Sequence, residues 1–295
     1  MSLRLALTAD LHWGSHERGD EATRQMTRFL AAAPPDAFIV AGDVGAGEHF
    51  GECLAHFESL PGRKMLVPGN HDIWVVDDDS RGDSLAVYRE HLPDLCARHG
   101  FHYLDSGPVI FSEAELAIVG SINWYDYSWS IDKLREKLPD WERRLRTKVF
   151  SRGRHNDARF VRWALDDAGF TQDVVTTLDR HLHQVVTKVR QVIVVTHHPA
   201  FHGLSFPRVG DIGVDGLLWD AFAGNRQLES VLSRHIGHIP FAFCGHTHRA
   251  RESCFQTIRG HNIGGDYHFK RLLLLDWPAG TIEAHVFGQT GGVGL

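Results

Sequence analysis

Six short apolar segments, each ending abruptly in polar residues, constrain the fold of this 295-residue chain more than any other feature. They are four to seven residues long and are rich in Val, Ile, Leu and Ala. Runs of this length that end at Gly, Pro or charged side chains are typical of buried β-strands rather than of helices. The six predicted strands are Leu3–Ala9, Ala37–Ala41, Lys64–Val67, Leu116–Ser121, Val192–Val195 and Phe241–Cys244.

Segments with helical periodicity separate the first strands. They cover Thr23–Ala33, Phe50–Leu60 and Ser84–His99, and Pro93 is expected to bend the last of them. The alternation of strands and helices predicts an α/β protein in which helices cover mixed or parallel sheets.

The end of the chain predicts a closing β-hairpin. Its strands are Arg271–Trp277 and Thr281–Phe287, and a Gly-rich tail, Gly288–Gly294, follows and is expected to be mobile. No linker divides the chain, so we expect one domain over residues 1–295.

The stretch from about residue 126 to residue 190 departs from this alternation and predicts a helical insert. Three helices are expected, over Ile131–Val149, His155–Ala168 and Gln172–Val189. Residues 132–162 carry 11 basic and 5 acidic side chains, although the whole chain has a formal charge of −6. Two interpretations remain open: solvated helix faces, or a basic lid that attracts an anionic substrate.

Composition excludes several classes of protein. No apolar stretch approaches the roughly 20 residues that cross a bilayer. The first apolar run is closed by Asp10 and no A-x-A pattern follows, which predicts a strand rather than a signal peptide. Four scattered cysteines are too few for a disulfide scaffold and favour a cytoplasmic location. The 21 histidines, in contrast, direct attention to a metal or acid–base site.

Five polar blocks follow the predicted strands. Ligands in open α/β sheets bind beyond the carboxyl ends of the strands, so blocks at several ends can converge on one point. Nitrogen and oxygen donors without a thiolate suit divalent or trivalent ions such as Mn, Fe or Zn, and Cys244 is assigned to packing. In chain order the blocks are Asp10-x-His12, Gly42-Asp43, Gly69-Asn70-His71-Asp72, Thr196-His197 and Gly245-His246-Thr247-His248.

This ordered set resembles the calcineurin-like metallophosphoesterase superfamily, whose pattern is D-x-H, G-D, G-N-H-[DE], H and G-H-x-H. The match extends from residue 10 to residue 248. The resemblance implies a four-layer α/β/β/α sandwich, with two mixed sheets flanked by helices, that holds two metal ions.

The resemblance also implies individual roles. The first metal would be held by Asp10, His12, Asp43 and His248, and the second by Asp43, Asn70, His197 and His246. Asp43 would therefore bridge the two ions, and a metal-bridging hydroxide would attack phosphorus. His71 would meet the substrate phosphate without binding metal, and Asp72 would orient His71 and favour its protonated form.

Further side chains are candidates for substrate contact. Asn123, Trp124 and Tyr125 follow a predicted strand and could reach the same rim, although packing beneath the insert is an equal alternative. His198 and His202, on either side of Pro199, are also candidates.

The sequence therefore predicts a two-metal hydrolase of small phosphate esters. The G-N-H-D form is similar to that of bacterial phosphodiesterases, which favours diesters, with a nucleotide-type substrate as one option. A phosphomonoesterase or protein phosphatase with the same site is the alternative, and a non-catalytic metal-binding scaffold is the alternative of another class. A membrane is not expected as a partner, nucleic acid is possible but not favoured, and the oligomeric state is not predicted.

Overall fold

The computed structural model describes residues 1–206 and 210–288, which form two six-stranded sheets. The predicted tail lies outside the described residues beyond Gly288. The strands are β1 Leu3–Thr8, β2 Ala37–Ala41, β3 Arg63–Val67, β4 Phe101–Tyr103, β5 Val109–Phe111, β6 Leu116–Ser121, β7 Gln191–Thr196, β8 Phe241–Cys244, β9 Arg251–Phe255, β10 Ile258–Asn262, β11 Lys270–Trp277 and β12 Thr281–Phe287.

Each sheet contains four consecutive parallel strands and two antiparallel strand pairings. The first has the order β12-β11-β1-β2-β3-β4, in which β1 to β4 are parallel and the hairpin β11–β12 is added at one side. The second has the order β5-β6-β7-β8-β10-β9, with an antiparallel strand at each edge. The predicted mixed sheets and the closing hairpin are thus present.

Side-chain alternation along the strands produces the four layers. Leu5 and Leu7 of the first sheet share a core between the sheets with Ile193 and Val195 of the second. The intervening Ala6 faces outward into a second core, formed with helices. Cys244 is buried in the third core, on the outer face of the second sheet, as its assignment to packing requires.

The helices cover the two outer faces. A π-helical turn, Val87–His91, joins helix α3 (Ser84–Ala86) to helix α4 (Leu92–Arg98), and Pro93 lies near the start of α4, since proline cannot continue the hydrogen bonding of a regular helix. The α-helices are α1 Glu17–Ala32, α2 His49–Ala55, α3 Ser84–Ala86, α4 Leu92–Arg98, α5 Ile131–Lys137, α6 Trp141–Thr147, α7 Asp157–Phe160, α8 Asp167–Val186, α9 Gly213–Ala221 and α10 Arg226–Arg234.

The segment between β6 and β7 differs from the three helices predicted for it. Pro139 follows α5, so the first predicted helix is divided into α5 and α6. Only the four residues of α7 form where the second was expected. The third, α8, begins five residues early because the Asp166 side chain caps it, accepting a hydrogen bond of 2.6 Å from Gly169 N.

The predicted insert therefore has two parts. Helix α8 connects β6 to the parallel β7 and packs on the outer face of the second sheet, so it belongs to the sandwich. Residues 126–166, which we call the added segment, are the remainder. Throughout the described ranges, no helix has both the length and the apolarity needed to cross a membrane.

Candidate metal centre

The five polar blocks meet at one edge of the sandwich, because β1, β2 and β3 end there in one sheet and β7 and β8 end there in the other. Backbone hydrogen bonds hold the loops together. Asp10 N donates to Gly42 O at 3.0 Å, and Gly245 N donates to His197 O at 3.1 Å. The convergence predicted from the sequence is thus present in the fold.

The backbone at this edge is left-handed at most of the predicted ligands. Positive φ angles are uncommon for residues other than glycine, and such strain is concentrated at functional sites. The residues concerned are Asp10 (φ 56°), His12 (43°), Asp43 (54°), His246 (71°) and His248 (56°).

One group of side chains corresponds to the first predicted metal site. Asp10, His12, Asp43 and His248 each place one donor atom within 4.8 Å of the others. His12 Nε2 lies 2.9 Å from His248 Nε2 and 3.6 Å from Asp43 Oδ2. His248 Nε2 lies 3.7 Å from Asp10 Oδ1.

A second group corresponds to the other site and contacts the opposite oxygen of Asp43. His197 Nε2 lies 3.4 Å from Asp43 Oδ1 and 3.0 Å from Asn70 Oδ1. The same Asn70 oxygen is 3.3 Å from His246 Nδ1. Asp43 therefore has one carboxylate oxygen near each group.

The chemistry of these groups fits bound cations. Burial raises the pKa of Asp10 and Asp43, while burial lowers the pKa of His12 and His197. Asp10 Oδ2 is buried and has no hydrogen-bond partner in the described part of the chain. Buried nitrogen and oxygen donors of this kind suit transition-metal ions, and the positive charge of such ions would stabilise the buried carboxylates.

Two glycines allow the backbone to lie close to the side chains of the predicted ligands Asp43 and His197. A Cβ atom at Gly69 would lie 2.1 Å from Asp43 Oδ1, and one at Gly42, where φ is +84°, would lie 2.4 Å from His197 Nδ1. Any side chain at either position would displace a predicted ligand.

His71 lies beside the two groups rather than within either. Its ring stacks on Trp74 at 3.6 Å between centroids, and its Nε2 is 3.9 Å from Asp43 Oδ2. The side chain is 17% exposed and lines a cavity of about 440 Å³ that also contains Asp43 and Asn70. Burial lowers the pKa of His71 to about 3, which favours a neutral ring that can still donate one hydrogen bond.

Asp72 has different hydrogen-bond partners from the one expected. Its carboxylate accepts hydrogen bonds from Gly69 N at 2.7 Å and from Gly45 N at 2.9 Å, so it joins the two loops that carry Asn70 and Asp43. The expected contact with His71 is replaced by these backbone contacts, because both carboxylate oxygens are directed at backbone N–H groups.

Asn123, Trp124 and Tyr125 are buried and do not line the cavity beside the predicted ligands. Trp124 Nε1 donates to Asp167, and Tyr125 OH donates to Asp157, each at 2.9 Å. Trp124 and Tyr125 pack against the added segment, as the alternative interpretation of this motif expected, whereas Asn123 donates to the backbone oxygens of His198 and Pro199. Substrate contact by these three side chains is not compatible with their burial.

The two further histidine candidates lie apart from each other. The buried ring of His198 is 4.0 Å from that of His246, and one of its nitrogens lies within 4.8 Å of ligand atoms of His197 and His246. His202, with 47% of its side chain exposed, lies 3.3 Å from Asp220 and is absent from the cavity lining.

The structure adds one carboxylate that no sequence motif marked. Asp157, at the start of α7, accepts hydrogen bonds from Asn70 Nδ2 at 2.8 Å, Trp74 Nε1 at 2.9 Å and Tyr125 OH at 2.9 Å. Burial raises its pKa, but His155 and these hydrogen bonds outweigh burial and lower the pKa to about 2. Asp157 thus directs the amide oxygen of Asn70 toward His197 and His246.

Comparisons with solved structures agree with the observed fold. A search of curated protein sequences found no significant match. The structure is similar to phosphopantetheinyl hydrolase (PptH) from Mycobacterium tuberculosis, at 17% identity and a TM-score of 0.67 over 90% of this chain and 89% of that one. It is also similar to a dimetal phosphatase from Danio rerio, at 15% identity and a TM-score of 0.58 over 96% and 98% of the two chains.

A family model extends the agreement to the sequence. The model for the calcineurin-like phosphoesterases matches residues 3–250, which include all five polar blocks and both groups of predicted ligands. With the sandwich and the strand-end clusters, this match shows that the chain belongs to the calcineurin-like phosphoesterase family, whose members are metal-dependent hydrolases with a dimetal centre.

Proposed function

We propose that this protein is a two-metal phosphodiesterase that acts on small phosphate diesters. The observation that carries the proposal is the position of Asp43, whose two oxygens face the two donor groups. In this proposal Asp10, His12 and His248 complete one metal site, and Asn70, His197 and His246 complete the other.

Asp43, Asp72 and His71 would have different roles in the hydrolysis. Two ions bound there would stabilise the negative charge that develops on the phosphate oxygens. Asp43 would hold the two sites at a constant spacing. Asp72 connects the loop that carries Asp43 to the loop that carries Asn70 through its hydrogen bonds to Gly45 N and Gly69 N. His71, held by Trp74 at the cavity wall, can donate a hydrogen bond to a phosphate oxygen or to the leaving group.

A diester is favoured by the cavity. Its volume of about 440 Å³ exceeds what a bare phosphate needs, and its lining combines the predicted ligands with aromatic and basic side chains of the added segment. This gives room for organic groups on both ester oxygens. The G-N-H-D form of the third block is consistent with a diester.

Part of the basic charge of the added segment is paired with carboxylates, which disfavours nucleic acid as a substrate. Lys137 pairs with Asp211 and Lys148 with Asp167, at 3.1 and 2.5 Å. Arg152 and Arg154, in contrast, line the cavity. The ion pairs support the interpretation as solvated helix faces, and the two cavity arginines support a role of this segment in attracting a small anionic substrate. A cytoplasmic location stays a prediction from the cysteines, which are free.

The test is a comparison of two related esters after removal and replacement of the metal. The protein is stripped with a chelator, reconstituted with Mn²⁺, Zn²⁺ or Fe²⁺, and assayed on bis-p-nitrophenyl phosphate and on p-nitrophenyl phosphate. We expect kcat/KM to favour the diester and activity to require added metal. A preference for the monoester would support the phosphomonoesterase instead, and two bound metals without turnover of either ester would support the scaffold.

A further inference from the structure

A hairpin of the added segment reaches the cavity of the metal centre. Val149 and Arg154 form an antiparallel bridge, and Phe150 N donates to Gly153 O at 3.1 Å across the turn. Gly153 has a φ of +87°, which this tight turn requires. The hairpin tip, residues 150–153, is thus a defined turn on the rim of the catalytic cavity.

Helix α9 holds the hairpin tip in place through two contacts. Asp215 accepts a hydrogen bond of 2.7 Å from Ser151 N. Trp219 stacks on Phe150, with 4.7 Å between ring centroids and 26° between planes. The two elements are far apart in sequence, so this wall of the cavity exists only in the folded chain.

Trp219 is more exposed to solvent than the other aromatic side chains that line the cavity. It is 44% exposed, whereas Phe150 beneath it is only 7% exposed. Trp74 is covered by His71 on one side and contacts Phe160, and Tyr267 stacks on His12. A large ring that is held by stacking and left partly open beside a reaction centre is suited to stack on a planar group of a ligand.

Arg152 adds a free positive charge to the same wall. Its side chain is exposed, and within residues 1–206 and 210–288 it forms no ion pair. Arg154, by comparison, donates from Nε to Thr147 O at 2.9 Å. A guanidinium that no protein carboxylate neutralises can hold an anionic ligand near the metal centre.

We infer that Phe150, Arg152 and Trp219 form a subsite, the hairpin subsite, that binds a planar aromatic group on the phosphate ester. This inference rests on the proposed phosphodiesterase function and specifies its substrate class. Trp219 stacks on the aromatic ring while Arg152 attracts the anion. The ring belongs either to a nucleobase or to a simple aryl ester, and the two sources share this stacking chemistry.

The experiment measures inhibition constants against hydrolysis of bis-p-nitrophenyl phosphate by the metal-loaded enzyme. Methylphosphonate, phenylphosphonate and adenosine 5′-monophosphate are the probes, and each offers an anionic phosphorus group to the metals. The wild-type enzyme should bind the two aromatic probes about tenfold or more tightly than methylphosphonate, because stacking adds to binding. Tighter binding of the nucleotide than of phenylphosphonate would identify a nucleobase, and equal binding would identify an aryl group.

Trp219→Ala should remove most of the preference for aromatic probes and should change the inhibition constant of methylphosphonate less than about twofold. Trp219→Leu keeps apolar bulk if the alanine variant does not fold. Arg152→Gln should weaken the binding of all three probes by similar factors, because each of them is an anion. Trp141→Ala is the matched control, since Trp141 belongs to the added segment but does not line this cavity.

The inference and the proposed function fail in different ways. If the wild-type enzyme does not hydrolyse the diester, the proposed function is wrong. If the wild-type enzyme hydrolyses the diester, the effect of Trp219→Ala tests the hairpin subsite. Equal weakening of the binding of methylphosphonate and of the aromatic probes, or no weakening of either, would show that the subsite does not exist. A changed oligomeric state with unchanged inhibition constants would also overturn it and would assign Trp219 to a protein interface.

Discussion

The strand-end edge and the added segment contribute to one cavity by different physical means. At the edge, backbone hydrogen bonds such as His12 N to Asp43 O, at 2.8 Å, place side chains that lie directly after strands. In the added segment, short helices and a hairpin place their side chains by contacts with distant residues. Asp157 and Asn70, for example, are 87 residues apart. Both regions use contacts between distant segments, but at the edge each side chain directly follows a strand, so its place is predictable from the sequence, whereas in the added segment it is not.

The two regions also differ in how they carry charge. The carboxylates of Asp10 and Asp43 are buried among histidine rings, and burial raises their pKa values. In the added segment, ion pairs such as Lys137–Asp211 are exposed to solvent, and such pairs contribute little to stability. The edge is therefore expected to depend on bound cations, and the added segment is not.

The largest effect is expected from the edge. Asp43→Asn removes the charge that both donor groups share, so activity should fall by about 10³-fold or more and metal content should fall as well. Metal analysis together with kcat/KM on the diester checks this prediction. A variant that retains two metals and full turnover would show that Asp43 does not bridge.

A smaller and more selective effect is expected from His71. His71→Ala should lower kcat by about 10²-fold while both metals stay bound, because the ring lies beside the donor groups and not within them. Metal content is the decisive measurement. Parallel loss of metal and of turnover would make His71 a ligand.

The comparison between the regions is tested most directly at Asp157. Asp157→Asn should weaken the metal site that contains Asn70 by about 10- to 100-fold, because the carboxylate that orients the amide is lost. Calorimetric titration of the metal-free protein, with two resolved binding events, is the measurement. The site that contains His12 and His248 should be nearly unchanged.

Tyr125→Phe is the control for Asp157. It removes a hydrogen bond to Oδ2 of the same carboxylate, whereas Asn70 donates to Oδ1. We expect little change in metal affinity. If Asp157→Asn weakened metal binding at both sites equally, the added segment would only support the fold. The same conclusion would follow if Tyr125→Phe weakened metal binding at the Asn70 site as much as Asp157→Asn did.

The sequence was most informative where an apolar run ends in a polar block. The strands β2, β6 and β8 have the bounds predicted for them, and all five blocks converge as expected. Asp72 shows the limit of the motif. Its position in the chain was clear, but the geometry of the loops, with N–H groups of Gly45 and Gly69 directed at its carboxylate, decided what it contacts.

Helix bounds in the added segment were less predictable. Periodicity alone extended a helix across Leu138 and Pro139, where proline ends it. Asp157 carried no motif at all, since a carboxylate among basic residues resembles an ordinary exposed charge until the fold buries it. The same holds for Trp219, whose stacking on Phe150 joins elements that the sequence separates.

By itself, then, the sequence determined the α/β class, the edge that carries the chemistry and the family of the protein. Strand ends and turns are local, and their residues follow one another in the chain. Only the tertiary structure decided that Trp124 and Tyr125 are buried, that Asp157 orients Asn70 and that a hairpin and α9 form the cavity wall. These contacts join distant segments, and their energies come from burial and from hydrogen bonds that exist only after the chain has folded.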